Sequence, residues 1–223
     1  EVMPPCVNLS GVHFESVDGQ LLFGMGGLKG VGTSSVEAIV EARRASGPFI
    51  SLFDFCERVD LKRINKKTIE ALNNAGAFDL FGHPRARIEA CLDIALERAQ
   101  STQRDKASGQ SSLFGMLSTP AATERDDEFP PELLKIGAWP EQVLLAREKL
   151  SLGVYVSGHP LDRFINLIAR HGNATVDALS RKEHYEPVII GGIQTGIRVR
   201  PFKNGKGRMA IVQFEDLTGS VEV

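Results

Sequence analysis

The 223-residue chain is short of several things, and each shortage excludes something. No apolar run is long enough to span a bilayer, so no membrane partner is expected. The first residues, EVMPPCVNLSG, carry neither the basic start nor the apolar stretch of a signal peptide. There are only three cysteines, Cys6, Cys56 and Cys91, an odd number set far apart. They form neither a disulfide framework nor a Cys-x-x-Cys zinc site, and they fit a reducing cytoplasm. No surplus of positive charge marks the whole chain, whose formal net charge is -2, although that figure averages over unlike regions. No metal site is expected. His159, in Ser157-Gly158-His159-Pro160-Leu161, has no carboxylate or nucleophile at a telling spacing and reads as a structural turn histidine. What remains is an ordinary globular composition, enough for one large domain or two small ones.

The centre of the chain is Phe23 to Phe49, FGMGGLKGVGTSSVEAIVEARRASGPF. Gly30 and Gly32 flank Val31 and allow a tight turn with positive φ. Such a turn aims backbone N–H groups outward as a nest for a phosphate. A helix follows. Ser34 and Glu37 have capping-box spacing, Val36, Ile39 and Val40 form an apolar stripe, and Gly47-Pro48 is a stop signal. Lys29 adds a full positive charge to the partial charge of the helix start. Taken alone this is also the pattern of an ordinary helix–helix turn. It looks like a helix-hairpin-helix motif, a unit that binds DNA without sequence preference. On that reading Lys29, Gly30, Val31, Gly32 and Thr33 hold one backbone phosphate.

Before this stretch, residues 1–22 read as an extended, turn-rich entry without partner strands of its own, expected to pack on something N-terminal to it. Asp18-Gly19 marks a hairpin turn. After it, Ile50, Leu52, Phe53 and Phe55 supply core bulk. Between Arg58 and Lys67 the bases Arg58, Lys62, Arg63, Lys66 and Lys67 face a single acid, Asp60. This run is either a solvated loop or a phosphate-facing patch whose attraction for DNA depends on salt. A second helix-turn-helix then follows. Lys66 to Asn74 reads as a helix with Ile69 and Leu72 on one face, a turn runs to His83-Pro84, and a longer helix continues to about Gln100 with Ile88, Cys91, Leu92, Ala95 and Leu96 buried. Arg85 and Arg87 near its start are expected to face the turn. Two such units in tandem can touch two phosphates along one groove.

Residues 101–131 are rich in Ser, Thr, Gln, Ala and Pro and read as a flexible linker. Within it lies Gln110-Ser111-Ser112-Leu113-Phe114, an apolar pair in a polar tether, suited to a partner's pocket or to docking back on its own protein. Residues 132–186 read as a helical connector. From 187 the pattern is β. Ile193, Thr195, Ile197 and Val199 alternate with polar residues, 203–207 is a strong turn, and Ala210, Val212 and Phe214 alternate on the returning strand. A third strand begins at Ser220. The meander suggests the opening of an OB-fold, a barrel used for single-stranded nucleic acid, with Arg198, Arg200, Lys203, Lys206 and Arg208 as its bases and Phe202 as its one exposed aromatic. A sheet stopping in mid-strand is expected of a fragment.

In this order the parts resemble the alpha subunit of bacterial DNA polymerase III, the C-family replicative polymerase. The marks are PPCVN at 4–8, FGMGGLKGVG at 23–32, LFDFCERVD at 52–60, NNAGAFD at 73–79, QSSLF at 110–114, WPEQVLLAREKLSLGVYVSGHPL at 139–161 and FEDLTGSVEV at 214–223. The resemblance implies a mainly α, multidomain fold. Residues 1–22 would close the fingers region and 23–100 would be a tandem helix-hairpin-helix domain on product duplex. The linker 101–131 would carry the clamp-binding peptide, with Gln110, Leu113 and Phe114 gripping the ring-shaped sliding clamp, the beta subunit. The connector would span 132–186, and 187–223 would open the OB domain near single-stranded template. Other holoenzyme subunits would be met through the parent protein. The parent would be a DNA-directed DNA polymerase that uses palm aspartates and Mg²⁺. No Asp-x-Asp pair occurs here, so no catalytic residue is expected in this chain and it should be inactive alone. The alternatives are the error-prone paralogue, which usually lacks the clamp peptide, and a non-enzymatic helix-hairpin-helix scaffold or repair factor.

Overall fold

The computed structural model describes residues 2–107, 129–202 and 207–223. They fall into two compact units, 1–156 and 157–223. The segment read as one connector, 132–186, is therefore divided between them.

The first unit opens with a small sheet. Strands β1 (Val2–Met3), β2 (Glu15–Val17) and β3 (Gln20–Leu22) lie in the order β1-β3-β2, with β1 parallel to β3 and β2 antiparallel to it. This corrects the expectation that the entry segment has no partner strands. Each strand is two or three residues long, too short for an alternating pattern to show. The Asp18-Gly19 turn forms as expected, both residues at positive φ (51° and 78°), which matches the right-handed twist of the strands it joins. Val7, beyond β1, is fully buried in the helical core. Arg43 fixes this stretch by donating to the carbonyls of Val7 and Ser10 at 3.0 and 2.8 Å.

Five α-helices follow among the described residues of this unit: α1 (Thr33–Ser46), α2 (Leu52–Arg58), α3 (Lys66–Asn74), α4 (Arg85–Ala107) and α5 (Glu141–Leu152). Ser51 caps α2, accepting from the Asp54 amide, and Asn65 caps α3, accepting from Thr68. Phe49, Phe55, Phe78 and Phe81 form a ladder of ring contacts through the core, with neighbouring centroids 5.0–5.9 Å apart. The ISLFDFCERV bulk thus lies under the helices, as its composition implies. Helix α4 continues seven residues beyond the expected Gln100, to Ala107. Gln103 there donates to the carbonyls of Glu57 and Val59, tying the extra turns to the end of α2. Phe129 returns to the core edge-on to Phe53 and beside His83.

The second unit carries α6 (Ile165–His171) and an antiparallel meander of β4 (Ile193–Pro201), β5 (Arg208–Glu215) and β6 (Ser220–Glu222). Ile197 faces Val212 and Val199 faces Ala210 across the pair, while Arg198 faces Ile211 and Arg200 faces Met209 on the other side. A register shift between Gln194 and Gly196 bends β4. This is the strand order expected at the opening of an OB-like barrel.

Candidate nucleic-acid interface

The turn at Leu28–Gly32 enters α1 directly. Gly30 has φ +87°, a conformation that costs an L side chain strain, and an added Cβ there would come within 4.0 Å of Ala71 on α3. Gly32 behaves differently from expectation. It sits at φ -81°, ψ 152°, ordinary extended backbone, as the residue capping α1. Nothing lies within 4 Å of the place its Cβ would occupy. Neither the backbone nor the packing requires glycine there.

The capping box does not form. Helix α1 starts at Thr33, with no side chain capping it. Ser34 is already inside the first turn, and it accepts from Arg63 Nε at 3.1 Å. Glu37 pairs with the same guanidinium at 3.2 Å, and Glu41 does so at 2.6 Å. Ser35 donates to the Arg63 carbonyl at 2.7 Å, bringing the 60–65 loop against the start of α1.

These contacts thin out the expected basic patch. Arg58 is taken by Asp54 and by the carbonyls of Ala42, Gly47 and Pro48. Arg63 is taken by Glu37 and Glu41, and Lys66 by Asp93 at 2.6 Å, a bond that raises the lysine's pKa above its ordinary value. Lys29, Lys62 and Lys67 are exposed, without an ion-pair partner among the described residues. Lys67 stands one turn before Ala71 on α3, on the helix face that Gly30 approaches. Val31 is buried, its amide bonded to the Leu28 carbonyl, so it supports the turn from within. The Lys29 amide also has an acceptor, the Ser151 carbonyl at 2.9 Å. The amides of Gly30, Gly32 and Thr33 have none among the described residues and open at the start of α1.

Arg85 and Arg87 do not join this surface. Arg85 is buried, bidentate to Asp79 at 2.8 and 2.6 Å and bonded to Glu148 at 2.8 Å. Burial alone would lower its pKa, but the two carboxylates outweigh it and hold the guanidinium charged. Arg87 donates to the Leu134 and Ile136 carbonyls and fastens the segment that leads to α5. Arg85 faces the second turn as expected, through Asp79, but from a buried position, and Arg87 is held by the carbonyls of Leu134 and Ile136 instead. The sequence reading also missed Glu148. Its signal was present: Glu148 sits on the buried stripe of α5 between Leu145 and Leu152, where a carboxylate needs a buried cation.

In the second unit, Arg198 and Arg200 share one face of β4, and Arg198 pairs with Glu222 at 2.7 Å. Arg208 lies opposite Pro201, on the other face. Lys203 and Lys206 lie outside the described residues, as do Gln110, Leu113 and Phe114.

The helix-hairpin-helix motif family matches residues 1–88, the stretch that contains the Gly30 turn and helices α1 to α3. The whole chain aligns with DNA polymerase III subunit alpha of Vibrio cholerae at 35% identity over 224 residues. It aligns with that of Escherichia coli K12 at 34% over 225 residues, and with that of Pseudomonas aeruginosa at 36% over 238 residues, covering 99% of this chain. Over its length the chain is similar to one stretch of the DNA polymerase III alpha subunits. It spans only 19–20% of the length of these relatives. The match to the helix-hairpin-helix motif family includes the start of α1, where no side chain caps the helix.

Proposed function

We propose that this chain is a duplex-DNA-binding part of a replicative polymerase alpha subunit. Its grip is centred on the Gly30, Gly32 and Thr33 amides, with Lys29, Lys62 and Lys67 around them. The observation that supports this best is Gly32. It is a glycine that neither backbone nor packing needs, and it leaves an uncapped helix start open to a phosphate. Polymerisation with Mg²⁺ belongs, on this reading, to other residues of a longer protein, and no catalytic role is assigned within this chain. The second unit would lie near single-stranded template, through Arg198 and Arg200. Gln110, Leu113 and Phe114 would bind the sliding clamp and keep the polymerase on its product.

Duplex affinity measured by fluorescence anisotropy across a salt series tests the DNA reading. Affinity should fall steeply with salt and be indifferent to sequence. Lys62→Gln with Lys67→Gln should weaken binding on every duplex and lower the salt slope by about two, one per lost phosphate contact. A wild-type slope in that double variant would remove the proposed patch.

A further inference from the structure

One turn of α5 touches both hairpins of the first unit. Ser151 accepts the Lys29 amide through its carbonyl at 2.9 Å, which fixes the first turn to the end of α5. Three residues earlier, on the same helix face, Glu148 is 1% exposed and bonds Arg85 at 2.8 Å. Arg85 in turn clasps Asp79 in the second hairpin's turn and donates to the Asn74 carbonyl at 3.1 Å. The other Glu148 oxygen accepts from the Val156 amide at 3.3 Å, holding the chain that leaves α5. Outside this core, Arg147 adds an ion pair to Glu89 and a hydrogen bond to the Asn74 side chain at 3.2 Å. A continuous path therefore runs Asp79, Arg85, Glu148, Ser151, Lys29.

We infer that Arg85 and Glu148 are positioning residues for the Lys29–Gly32 turn, acting through the last turn of α5, so that duplex affinity depends on them although neither reaches DNA. This rests on the DNA-binding reading above. The α5 carbonyl takes the Lys29 amide and so sets the orientation of the turn, in which the exposed Gly30 and Gly32 have no amide acceptor among the described residues. If α5 shifts, the turn loses that orientation while α1 to α4 keep their own core. The buried carboxylate acts as a register pin, since an apolar stripe from Leu145 to Leu152 alone could slide on its neighbours.

The test uses the full 223-residue chain and Glu148→Gln, with amide hydrogen exchange and duplex affinity read on the same sample. The expected result is selective: faster exchange at Lys29, unchanged protection at Phe55 and Leu92, and an affinity lower by about two- to thirtyfold, the usual range for a residue acting at a distance. Should Glu148→Gln not fold, Arg85→Met with Glu148→Leu replaces the pair by apolar side chains and is expected to give the same selective change. Three results overturn the inference: wild-type affinity with a deprotected Lys29 amide, lowered affinity with Lys29 protected as in wild type, or protection lost evenly across the unit. If the Lys62→Gln, Lys67→Gln variant binds duplex normally, the DNA-binding reading itself fails. If that variant is weakened and Glu148→Gln is not, only the positioning role fails.

Discussion

Asn8 and Phe49 exchange two hydrogen bonds, each of 2.8 Å: the Asn8 side-chain amide donates to the Phe49 carbonyl, and its oxygen accepts from the Phe49 amide. A side chain thus stands in for a strand partner and closes the entry segment over the Phe49–Phe55 ring contact. The two main-chain groups it satisfies belong to a residue only 2% exposed. Asn8→Ala leaves both unpaired and should destabilise the first unit by about 1–3 kcal/mol, read as a lower urea midpoint with an unchanged slope.

Asp216 gives the second unit a pH dependence. Burial pushes its carboxyl up, but amide bonds from Val176, Thr218 and Gly219 and the Thr218 hydroxyl outweigh burial and hold it below the usual range. A depressed folded pKa contributes stability that is complete above the unfolded value, about 3.9, and is lost as pH falls through the folded value. Asp216→Asn should therefore lower the melting temperature of the second unit at neutral pH. The gap from wild type should shrink steadily below about pH 4. A gap that stayed constant down to acid pH would mean that the hydrogen bonds do not depend on the charge.

The helices and the meander were legible because their signals are local. Val36 and Ile39, Ile69 and Leu72, and the alternation around Ile197 each repeat at the period of their element. The charges were not legible. Arg63 and Lys66 in the basic run, and Arg85 and Arg87 at the start of the later helix, read as phosphate-facing, but each is claimed by a group 22 to 63 residues away or by backbone carbonyls. Such pairings depend on tertiary placement and leave no periodic trace. Gly30 and Gly32 look equivalent in the sequence, and only φ tells the one that builds the turn from the one that leaves it open.

The proposed clamp contact is tested by Leu113→Ala with Phe114→Ala. Burying two such side chains is worth about 1.5–3 kcal/mol each before the tether is ordered. The double variant should lose measurable heat on titration into the sliding clamp and keep wild-type duplex affinity. Clamp affinity equal to wild type would remove the proposed role of Leu113 and Phe114.

The central claim, that the uncapped start of α1 is left open for a phosphate, is tested most directly by Gly32→Asp. The extended backbone at Gly32 suits a capping residue and its Cβ site is empty, so the carboxylate can cap α1 and meet its positive end. Stability should stay level or rise by a few tenths to about 1 kcal/mol. The same carboxylate would occupy the proposed phosphate position, so duplex affinity should fall about tenfold or more, the scale of a like-charge contact near a protein surface. A melting scan and an anisotropy titration on one preparation read both. Unchanged or raised stability with weakened DNA binding is the predicted result; intact stability with wild-type affinity would contradict the account.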